Sequence, residues 1–474
     1  MFKNYLKITF RSLWKSKLFV LINILGMGLA IACGIVAYLN WDFDRSFDEI
    51  HTNVESIYRI NGERTYQNRQ QLYGITPLPL GEAIKSNVGE VDDVLRYMPS
   101  GGNFKVEDEL FNENFTYVDP NFFEFFTFHI TSGDEKALSD PSKIIISQSI
   151  VEKYFPEGDP IGKVLTQFTD YGNKEFTVAA TFATQPNNSS FAGVQIITNI
   201  DNYFKLQNQN EDIEDIENDW SYWSTTFVKV PDKSRLKQVE ERLSSEFLEI
   251  QNNARLDFKL ERYALDPFEG LAQRAANDTV WSNWTRSSME PVAVMAPAIM
   301  AILILLIACF NFTNTSMAIA SKRLKEIGLR KVMGGLKSQL RFQFLLENIV
   351  LCFFSLIVGL LFAFFLVPAY SSLWPGLSLE LNFTENFDFY LFLIGMLIFT
   401  GLVAGSYPAF YISSFEPARI LKGEVKVGGT SKITSVLLTL QFSISLIAVI
   451  LGVIFYQNAI YQNEMDIGYD KDAA

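Results

Sequence analysis

Five long runs of apolar residues interrupt this chain, and they restrict its fold more than any other feature. A helix needs about 20 mostly apolar residues to cross the hydrocarbon core of a bilayer. The runs reach that length at 18–40, 292–318, 344–367, 389–412 and 436–456. A cleaved signal peptide would also begin with a basic flank, but the first run is too long and no A-x-A-like site follows it. We therefore expect a multi-pass membrane protein with five transmembrane helices.

The short segments around these runs differ in their content of Lys and Arg, which sets the expected orientation. Basic residues concentrate before the first run (1–17), between the second and third runs (319–343), and between the fourth and fifth (413–435). The positive-inside rule places these three segments, and with them the N-terminus, in the cytoplasm. The remaining segments are expected outside the membrane: 41–291, the Lys- and Arg-free loop 368–388, and the tail 457–474.

The long segment 41–291 has the composition of a globular domain. Aromatic and β-branched residues alternate with polar ones in YRINGE, KIIISQSI and EFTVAATFA, which predicts strands. A helix is predicted at LKQVEERLSSEFLEIQNNA, from Leu236, and shorter helices at SIVEKYF and DPNFFEFF, the last with Asp119 as N-cap. The predicted fold class is an α-helical membrane protein with a large α+β extracytoplasmic domain inserted between transmembrane helices 1 and 2.

No sequence pattern predicts catalysis, a cofactor or a metal site. The two histidines, His51 and His129, are far apart in sequence, which favours packing or surface roles over metal ligation. A GxSxG pattern is absent. GDPIGK, at Gly158–Lys163, lacks the spacing of a phosphate-binding loop and predicts a turn between a helix and a strand. The formal net charge of −13 argues against nucleic-acid binding, which needs a basic surface.

The segment SKRLKEIGLRKVMGGLKSQL, residues 321–340, is basic and amphipathic, although it lies between two apolar runs. Gly334–Gly335 marks a place where one helix can end and another begin. A membrane-surface helix with positive-inside anchors would explain the charge. It would not explain the order of Glu326 and Gly328 among the basic residues. The apolar residues recur at near-helical spacing: Leu324, Ile327, Val332, Leu336 and Leu340.

Two features inside the apolar runs predict packing roles. Gly26, Ala30 and Gly34 are spaced by four residues, which permits close approach of a neighbouring helix. Glu347 lies early in the third run, where an ionisable residue is unusual. We expect a structural role for it, by snorkelling, by capping or by pairing with Arg341.

The order of residues in the basic segment resembles the cytoplasmic motif of MacB/FtsX-type ABC transporter permeases. Residues 118–165, from VDPNFFEFF to DPIGKVL, resemble the periplasmic core domain of that family. GSYPAFYISSFEPARILKG, residues 405–423, resembles its fourth span and the cytoplasmic turn that follows. The resemblance covers nearly the whole chain. The motif R-x-x-E-I-G-x-R-K-x-x-G is read at Arg323, Glu326, Ile327, Gly328, Arg330, Lys331 and Gly334.

The resemblance implies a non-catalytic permease subunit. A separate cytoplasmic ABC ATPase would supply ATP-driven motion, and the permease would relay it to the extracytoplasmic domain (mechanotransmission) to export or extract an envelope substrate. The alternative is an FtsX-like signalling protein that activates an extracytoplasmic partner such as a cell-wall hydrolase; a third reading is a sensor without an ATPase. The implied location is the bacterial inner membrane. Membrane lipid, a homo- or heterodimer of permeases and a periplasmic adaptor are the other expected partners.

We expect the ATPase to dock on residues 321–335. An exposed Glu326–Arg330 pair adds only about 0.3–0.5 kcal/mol to helix stability, too little to explain the motif. A docking helix needs an apolar ridge, here Leu324, Ile327 and Val332, flanked by charges. The predicted partner-binding residues are Arg323, Leu324, Glu326, Ile327, Gly328, Arg330, Lys331, Gly334 and Gly335.

The end of the chain departs from the pattern of many relatives, which continue through a second extracytoplasmic domain and three more spans. The fifth run overlaps the stretch KITSVLLTLQFSISLIAVILG, which is loosely similar to the first run. The chain then ends with NEMDIGYDKDAA. We expect a truncated chain that stops at the start of a second half; the alternative is a natural product whose missing half is a separate chain.

Overall fold

The computed structural model describes residues 17–106, 109–156, 158–169, 172–207, 216–278, 280–374, 376–383, 386–414 and 432–464. The chain divides into two compact units. Met1–Asp42 and Val292–Ala474 form one, which we call the helical unit, and Phe43–Pro291 forms the other, which we call the inserted domain.

The helices and strands are numbered in chain order. The helices are α1 Lys17–Arg45, α2 Leu80–Asn87, α3 Phe122–Phe125, α4 Gln148–Tyr154, α5 Asp201–Gln207, α6 Leu236–Ala254, α7 Leu271–Asp278, α8 Pro291–Lys322, α9 Leu324–Val332, α10 Lys337–Ser371, α11 Phe387–Ser414 and α12 Lys432–Glu464. The strands are β1 Ile57–Tyr66, β2 Arg69–Tyr73, β3 Thr76–Pro77, β4 Asp93–Val106, β5 Glu109–Val118, β6 Ile130–Gly133, β7 Lys143–Ser147, β8 Val164–Thr169, β9 Gly172–Phe182, β10 Ile196–Asn199, β11 Trp223–Lys229 and β12 Arg262–Pro267.

Four described helices are long and apolar enough to cross a membrane: Lys17–Arg45, Pro291–Ile319, Lys337–Ser371 and Phe387–Tyr411. They contain the first three predicted runs and all but the last residue of the fourth, and the predicted fold class is confirmed. The fifth run lies in α12, where the apolar stretch, Leu438–Ile454, is shorter. The fifth crossing and the sidedness of each loop stay predictions.

Glycines bring α1 close to two other helices of the helical unit. A Cβ on Gly28 would lie 2.9 Å from Cγ1 of Val358 in α10, and one on Gly34 would lie 2.6 Å from Cε of Met396 in α11. A Cβ on Gly26 would meet nothing within 4 Å. Close packing of α1 is therefore confirmed, but Gly28 takes the role that the four-residue spacing gave to Gly26.

The inserted domain is built around one twisted sheet with the strand order β12-β1-β11-β4-β5-β10-β7-β9-β6. Strand β8 pairs with both β4 and β9, so that β4, β5, β10, β7, β9 and β8 close into a ring. One face of every strand in the ring contributes to a single buried cluster, which includes Phe104, Phe115, Leu165, Phe176 and Ile196. This mixed α+β architecture agrees with the predicted class of the domain.

Local predictions in the inserted domain are largely confirmed. YRINGE lies in β1, EFTVAATFA lies mainly in β9, and α6 has the bounds of the predicted amphipathic helix. KIIISQSI is a strand only to Ser147, because α4 begins at Gln148. Asp119 does not cap α3, whose N-cap is Asn121. Its carboxylate instead accepts hydrogen bonds from buried Arg96, at 2.7 Å from Nη2 and 2.7 Å from the backbone N.

Candidate functional site

The basic segment forms a sharp bend between two long helices, and we call residues 323–336 the corner. Helix α8 ends at Lys322, α9 spans Leu324–Val332, and α10 begins at Lys337. Gly334 has φ +93°, and its N–H donates to the carbonyl of Lys331 at 3.2 Å. The N–H of Gly335 donates to the carbonyl of Arg330 at 2.9 Å. These two bonds form a Schellman motif, so the predicted helix end at the glycine pair is confirmed.

Arg323 links the corner to α10. Its Nη1 lies 3.0 Å from Oε2 of Glu347, and the Nε2 of Gln343 donates to Oε1 of the same carboxylate at 3.2 Å. Both members of the Arg323–Glu347 pair are largely buried. Pairing with Arg341 was one of the three structural roles expected for Glu347, but the Nε of Arg341 donates to Ser413 Oγ at 3.0 Å. Glu347 pairs with Arg323, the residue that directly follows α8, instead of with Arg341.

The other charged motif residues also bind within the helical unit. Arg330 Nη2 lies 2.5 Å from Oε1 of Glu326, and Arg330 Nη1 donates to Oε1 of Gln343 at 3.1 Å. Lys331 Nζ donates to the carbonyl of Ser413, in the last turn of α11, at 2.7 Å. Partial burial lowers the pKa of Lys331. The motif therefore ties the corner to the ends of two long helices.

The predicted apolar ridge is divided between two faces of the corner. Leu324 and Ile327 are 8% and 3% exposed and pack with Phe344 inside the helical unit, and Gly328 is also buried. These residues therefore lie in the interior of the helical unit, and their predicted contact with a partner stays a prediction. A different set is exposed, which we call the exposed stripe: Leu329 (58%), Val332 (59%), Met333 (82%) and Leu336 (60%).

Leu329 and Val332 lie in α9 and Met333 is its C-cap, whereas Leu336 lies beyond the glycine pair, at the N-cap of α10. Sequence reasoning identified Val332 and Leu336 as apolar positions but missed Leu329 and Met333. This short segment contains two overlapping sets of apolar residues, and each set has a spacing that a helix face could have. Only the packing of α9 against α10 decides which set is covered.

A second polar cluster lies in the inserted domain, in the segment that follows α1. Asp48 is buried, and its Oδ1 and Oδ2 accept hydrogen bonds from the N–H and the Oγ of Ser190, each at 2.6 Å. The N–H of Asp48 donates to the carbonyl of Asn188 at 2.8 Å. Nδ2 of Asn188 in turn donates to Ser46 Oγ at 3.0 Å. We call this set, Ser46 and Asp48 with Asn188 and Ser190, the Asp48 hold.

His51 lies beside the Asp48 hold in an aromatic environment. Its ring centroid is 5.6 Å from that of Phe126 and 5.5 Å from that of Phe191. Its Nε2 lies 3.4 Å from Ser189 Oγ and 3.8 Å from Asp48 Oδ1. Burial lowers the pKa of His51 to about 4 and raises the pKa of Asp48 to about 6. The packing role predicted for His51 is therefore confirmed.

These three residue types do not form a hydrolytic triad. In a triad, the carboxylate and the hydroxyl contact opposite ring nitrogens of the histidine. Here both lie on the Nε2 side, and Ser189 is fully buried, so no substrate could reach its hydroxyl. His129 is exposed on the surface of the inserted domain. Within the described residues, no group of three or more His, Cys, Asp or Glu side chains could hold a metal ion.

Two family models match the chain. The MacB-like periplasmic core domain matches residues 20–246. The FtsX-like permease C-terminal domain matches residues 298–417, a segment that includes the corner.

Relatives of known name are distant from this chain. A macrolide export ATP-binding/permease protein MacB of Campylobacter jejuni is 28% identical over 129 residues, which cover 27% of this chain and 19% of the relative. The matched segment thus spans about a fifth of that relative. The uncharacterized ABC transporter permease YvrN of Bacillus subtilis is 21% identical over 443 residues, covering 89% of this chain and 100% of the relative.

Solved structures similar to this chain cover just under half of it. A domain of a putative permease protein from Porphyromonas gingivalis aligns with a TM-score of 0.36 and 19% identity, covering 46% of this chain and 92% of that one. The periplasmic region of MacB from Actinobacillus actinomycetemcomitans aligns with a TM-score of 0.33 and 12% identity, covering 48% of this chain and 98% of that one.

Proposed function

This chain belongs to the MacB/FtsX-type family of ABC transporter permeases, and from that premise we propose that it is a mechanical relay. In this proposal a separate cytoplasmic ABC ATPase docks on the corner. The permease then passes the ATP-driven motion along its helices to the inserted domain, which exports or extracts an envelope substrate. The chain itself carries out no hydrolysis.

The observation that carries this proposal is the exposed stripe. Four apolar side chains between the last turns of α9 and the N-cap of α10 are each more than half exposed. Exposed apolar patches with polar surroundings are typical of interaction sites. Lys325 and Glu326 are exposed beside the stripe and would set the register of a partner. A helix that lays its apolar face into a groove of the partner is a common recognition mode.

The sequence predicts that the motif residues contact the ATPase directly. In this proposal they position the docking surface instead. Arg323, Arg330 and Lys331 bind α10, α11 and the corner itself, so they position the docking surface. Gly334 and Gly335 fix the end of α9. A corner held in this way is stiff, and stiffness is needed if a push on the stripe is to move the long helices. Contact with the ATPase is assigned to Leu329, Val332, Met333 and Leu336, with Glu326 at the edge.

Docking is tested with the double variant Leu329→Ser/Met333→Ser. Burying each of these side chains against a partner contributes about 1.5 kcal/mol, so the pair contributes about 3 kcal/mol, or about 100-fold in affinity. We expect the ATPase to be lost on purification from native membranes, while the yield of the permease is unchanged. The matched control is Leu256→Ser, because Leu256 is 74% exposed in the inserted domain.

The competing occupant of the exposed stripe is the membrane surface. If the double variant retains the ATPase as well as the control does and full function is preserved, the corner is an interfacial anchor and the proposal fails. An environment-sensitive fluorophore on Met333→Cys gives the same distinction, because removal of the ATPase should make its surroundings more polar. An apolar signal that persists without the ATPase would contradict docking.

The proposal also requires a bacterial inner-membrane location with the N-terminus and the corner in the cytoplasm. The Lys and Arg distribution supports this orientation. Ser132 in the inserted domain and Ser338 at the start of α10 are both exposed. Cysteine at Ser132 should react with an impermeant thiol reagent in intact spheroplasts, and cysteine at Ser338 should react only after permeabilisation. Labelling at Ser338 in intact spheroplasts would overturn the topology.

A further inference from the structure

We propose that Asp48 is a positioning residue through which movement of α1 reaches the inserted domain. The carboxylate holds the segment that follows α1 against the loop 188–190. The segment that precedes α8 is bonded to the same loop. This inference rests on the proposed relay function and assigns one step of it to named atoms.

The Asp48 hold fixes the incoming segment in both position and direction. Both carboxylate oxygens bind Ser190, at 2.6 Å each, while the backbone N–H of Asp48 binds the carbonyl of Asn188. Hydrogen bonds to a carboxylate are shorter and stronger than those between neutral groups. Asp48 also has φ +63°, a left-handed conformation that is uncommon outside glycine and that Asp and Asn tolerate better than other residues.

The same loop receives the outgoing segment. The N–H of Arg286, five residues before α8 begins, donates to the carbonyl of Ser190 at 2.9 Å. The two connections are also joined directly, because the N–H of Met289 donates to Oδ1 of Asp44 at 3.2 Å. Ser190 therefore binds the segment that follows α1 through its N–H and hydroxyl, and the segment that precedes α8 through its carbonyl.

The loop leads directly into the core of the inserted domain. Phe191 follows Ser190, is fully buried, and packs against Phe126 with ring centroids 4.4 Å apart. The polypeptide chain itself connects α1 to this core less directly. Between Arg45 and the start of β1 at Ile57, the only regular element is a 3-10 turn at Val54–Ser56. Without the Asp48 hold, this stretch would be slack, and movement at the end of α1 would be absorbed by it.

Three variants distinguish the effect of the Asp48 carboxylate from the effect of the left-handed backbone conformation at this position. Asp48→Gly removes the carboxylate and accepts a positive φ without strain. Asp48→Asn is the matched control, since its Oδ1 can accept from the Ser190 N–H and its Nδ2 can donate to Ser190 Oγ. Ser190→Ala removes one of the two carboxylate bonds from the other side, and it keeps the test available if Asp48→Gly does not fold.

The measurement is hydrogen–deuterium exchange on the full chain, purified with the ATPase that accompanies it, with and without ATP and vanadate. The upstream readout is the corner, and the downstream readout is residues 185–192. In the wild type, trapping the ATPase should change exchange in both. Asp48→Gly should keep the change at the corner and reduce the change at 185–192 by at least about fivefold. Ser190→Ala should reduce it less, and Asp48→Asn should behave as the wild type.

The outcomes distinguish the inference from the function on which it rests. If the nucleotide-dependent change at 185–192 persists in Asp48→Gly and Ser190→Ala, Asp48 has only a structural role and the inference is wrong. A uniform rise in exchange with the nucleotide difference intact is the signature of that structural role. If the wild type shows no nucleotide-dependent change at the corner, or if no ATPase accompanies the chain, the proposed function itself fails and the inference with it.

Discussion

Two buried carboxylates, Glu347 beside the corner and Asp48 in the inserted domain, are held in opposite ways. Glu347 lies 3.0 Å from the guanidinium of Arg323, so its charge is balanced by a fixed cation. Asp48 accepts hydrogen bonds from the N–H and hydroxyl of Ser190, which are neutral donors. Burial raises the pKa of Asp48 to about 6, because its hydrogen bonds only partly offset the loss of solvation.

The two buried acids are therefore stabilised by different interactions, one by a cation and the other by neutral donors. The Arg323–Glu347 pair joins the N-cap of α9 to α10, and breaking it would leave an uncompensated charge. The Asp48 hold joins two loops through bonds that an amide could also make, and its charge is responsive to pH.

The largest effect is expected from Arg323→Ala or Glu347→Ala. Each leaves the opposite charge largely buried without its partner, which costs about 3–5 kcal/mol. The purified permease should show a strongly lowered melting temperature and a poor yield. The double variant Arg323→Met/Glu347→Leu should recover most of the loss, since no charge is left unpaired. Equal destabilisation by the single and double variants would show that the pair does not act as an ion pair.

The next effect concerns the pH dependence of the Asp48 hold and its neighbour His51. The pKa of Asp48 is about 6 in the folded state, against an ordinary value of 3.8. The folded state therefore gains this proton before the unfolded state does, and it is favoured as pH falls from about 6 to 4. His51 has a folded pKa of about 4 against 6.5, so the unfolded state gains its proton first and folding is disfavoured over nearly the same window. In the wild type the two contributions largely cancel.

Single substitutions should reveal how each of the two groups makes the free energy of unfolding depend on pH. Asp48→Asn leaves His51, and stability should fall on acidification from pH 6.5 to 4. His51→Gln leaves Asp48, and stability should rise as pH falls through 6. Each change is about 3 kcal/mol over the window, at 1.36 kcal/mol per pKa unit. Melting temperatures of the full chain between pH 4.5 and 7 would measure both. Parallel profiles for the wild type and both variants would contradict the assigned pKa values.

A smaller effect is expected at Gly334, which, like Asp48, has a positive φ. A Cβ on Gly334 would meet nothing within 4 Å, so Gly334→Ala tests the backbone alone. Placing alanine in the left-handed conformation costs about 1–2 kcal/mol. The matched control is Gly158→Ala, where space is also open and φ is not in the left-handed region. Equal melting temperatures for the two variants would mean that the Schellman bonds do not determine the end of α9.

The smallest effect is expected from Glu326→Ala. The Glu326 side chain is 48% exposed, and Arg330 keeps its bond to Gln343 in the variant. The loss should be about 0.3–0.5 kcal/mol, as for other exposed i,i+4 pairs. Glu241→Ala, which removes the exposed partner of Lys237 in α6, is the comparison. A loss above about 1 kcal/mol for Glu326→Ala alone would show that this glutamate stabilises the corner as Glu347 does.

Sequence patterns with a local physical cause predicted much of this protein. The apolar runs located the long helices, since a continuous apolar stretch of that length has few other stable environments. The heptad-like spacing in 236–254 gave α6, because the buried side of a helix repeats every three or four residues. Gly334–Gly335 gave the end of α9, because a left-handed residue favours glycine. The motif also indicated the corner as the segment on which we propose that a partner docks.

Tertiary structure alone decided which face of the corner is covered and which residues meet. Leu324 and Ile327 were indistinguishable by spacing from residues of the exposed stripe, and only the packing of α9 on α10 separated them. Asp48 and Ser190 are 142 positions apart, and no spacing rule links them. A helix or a turn is encoded by neighbours within a few residues. The partner of a buried polar group depends on which distant segments the sheet brings together, and a short sequence pattern does not record that.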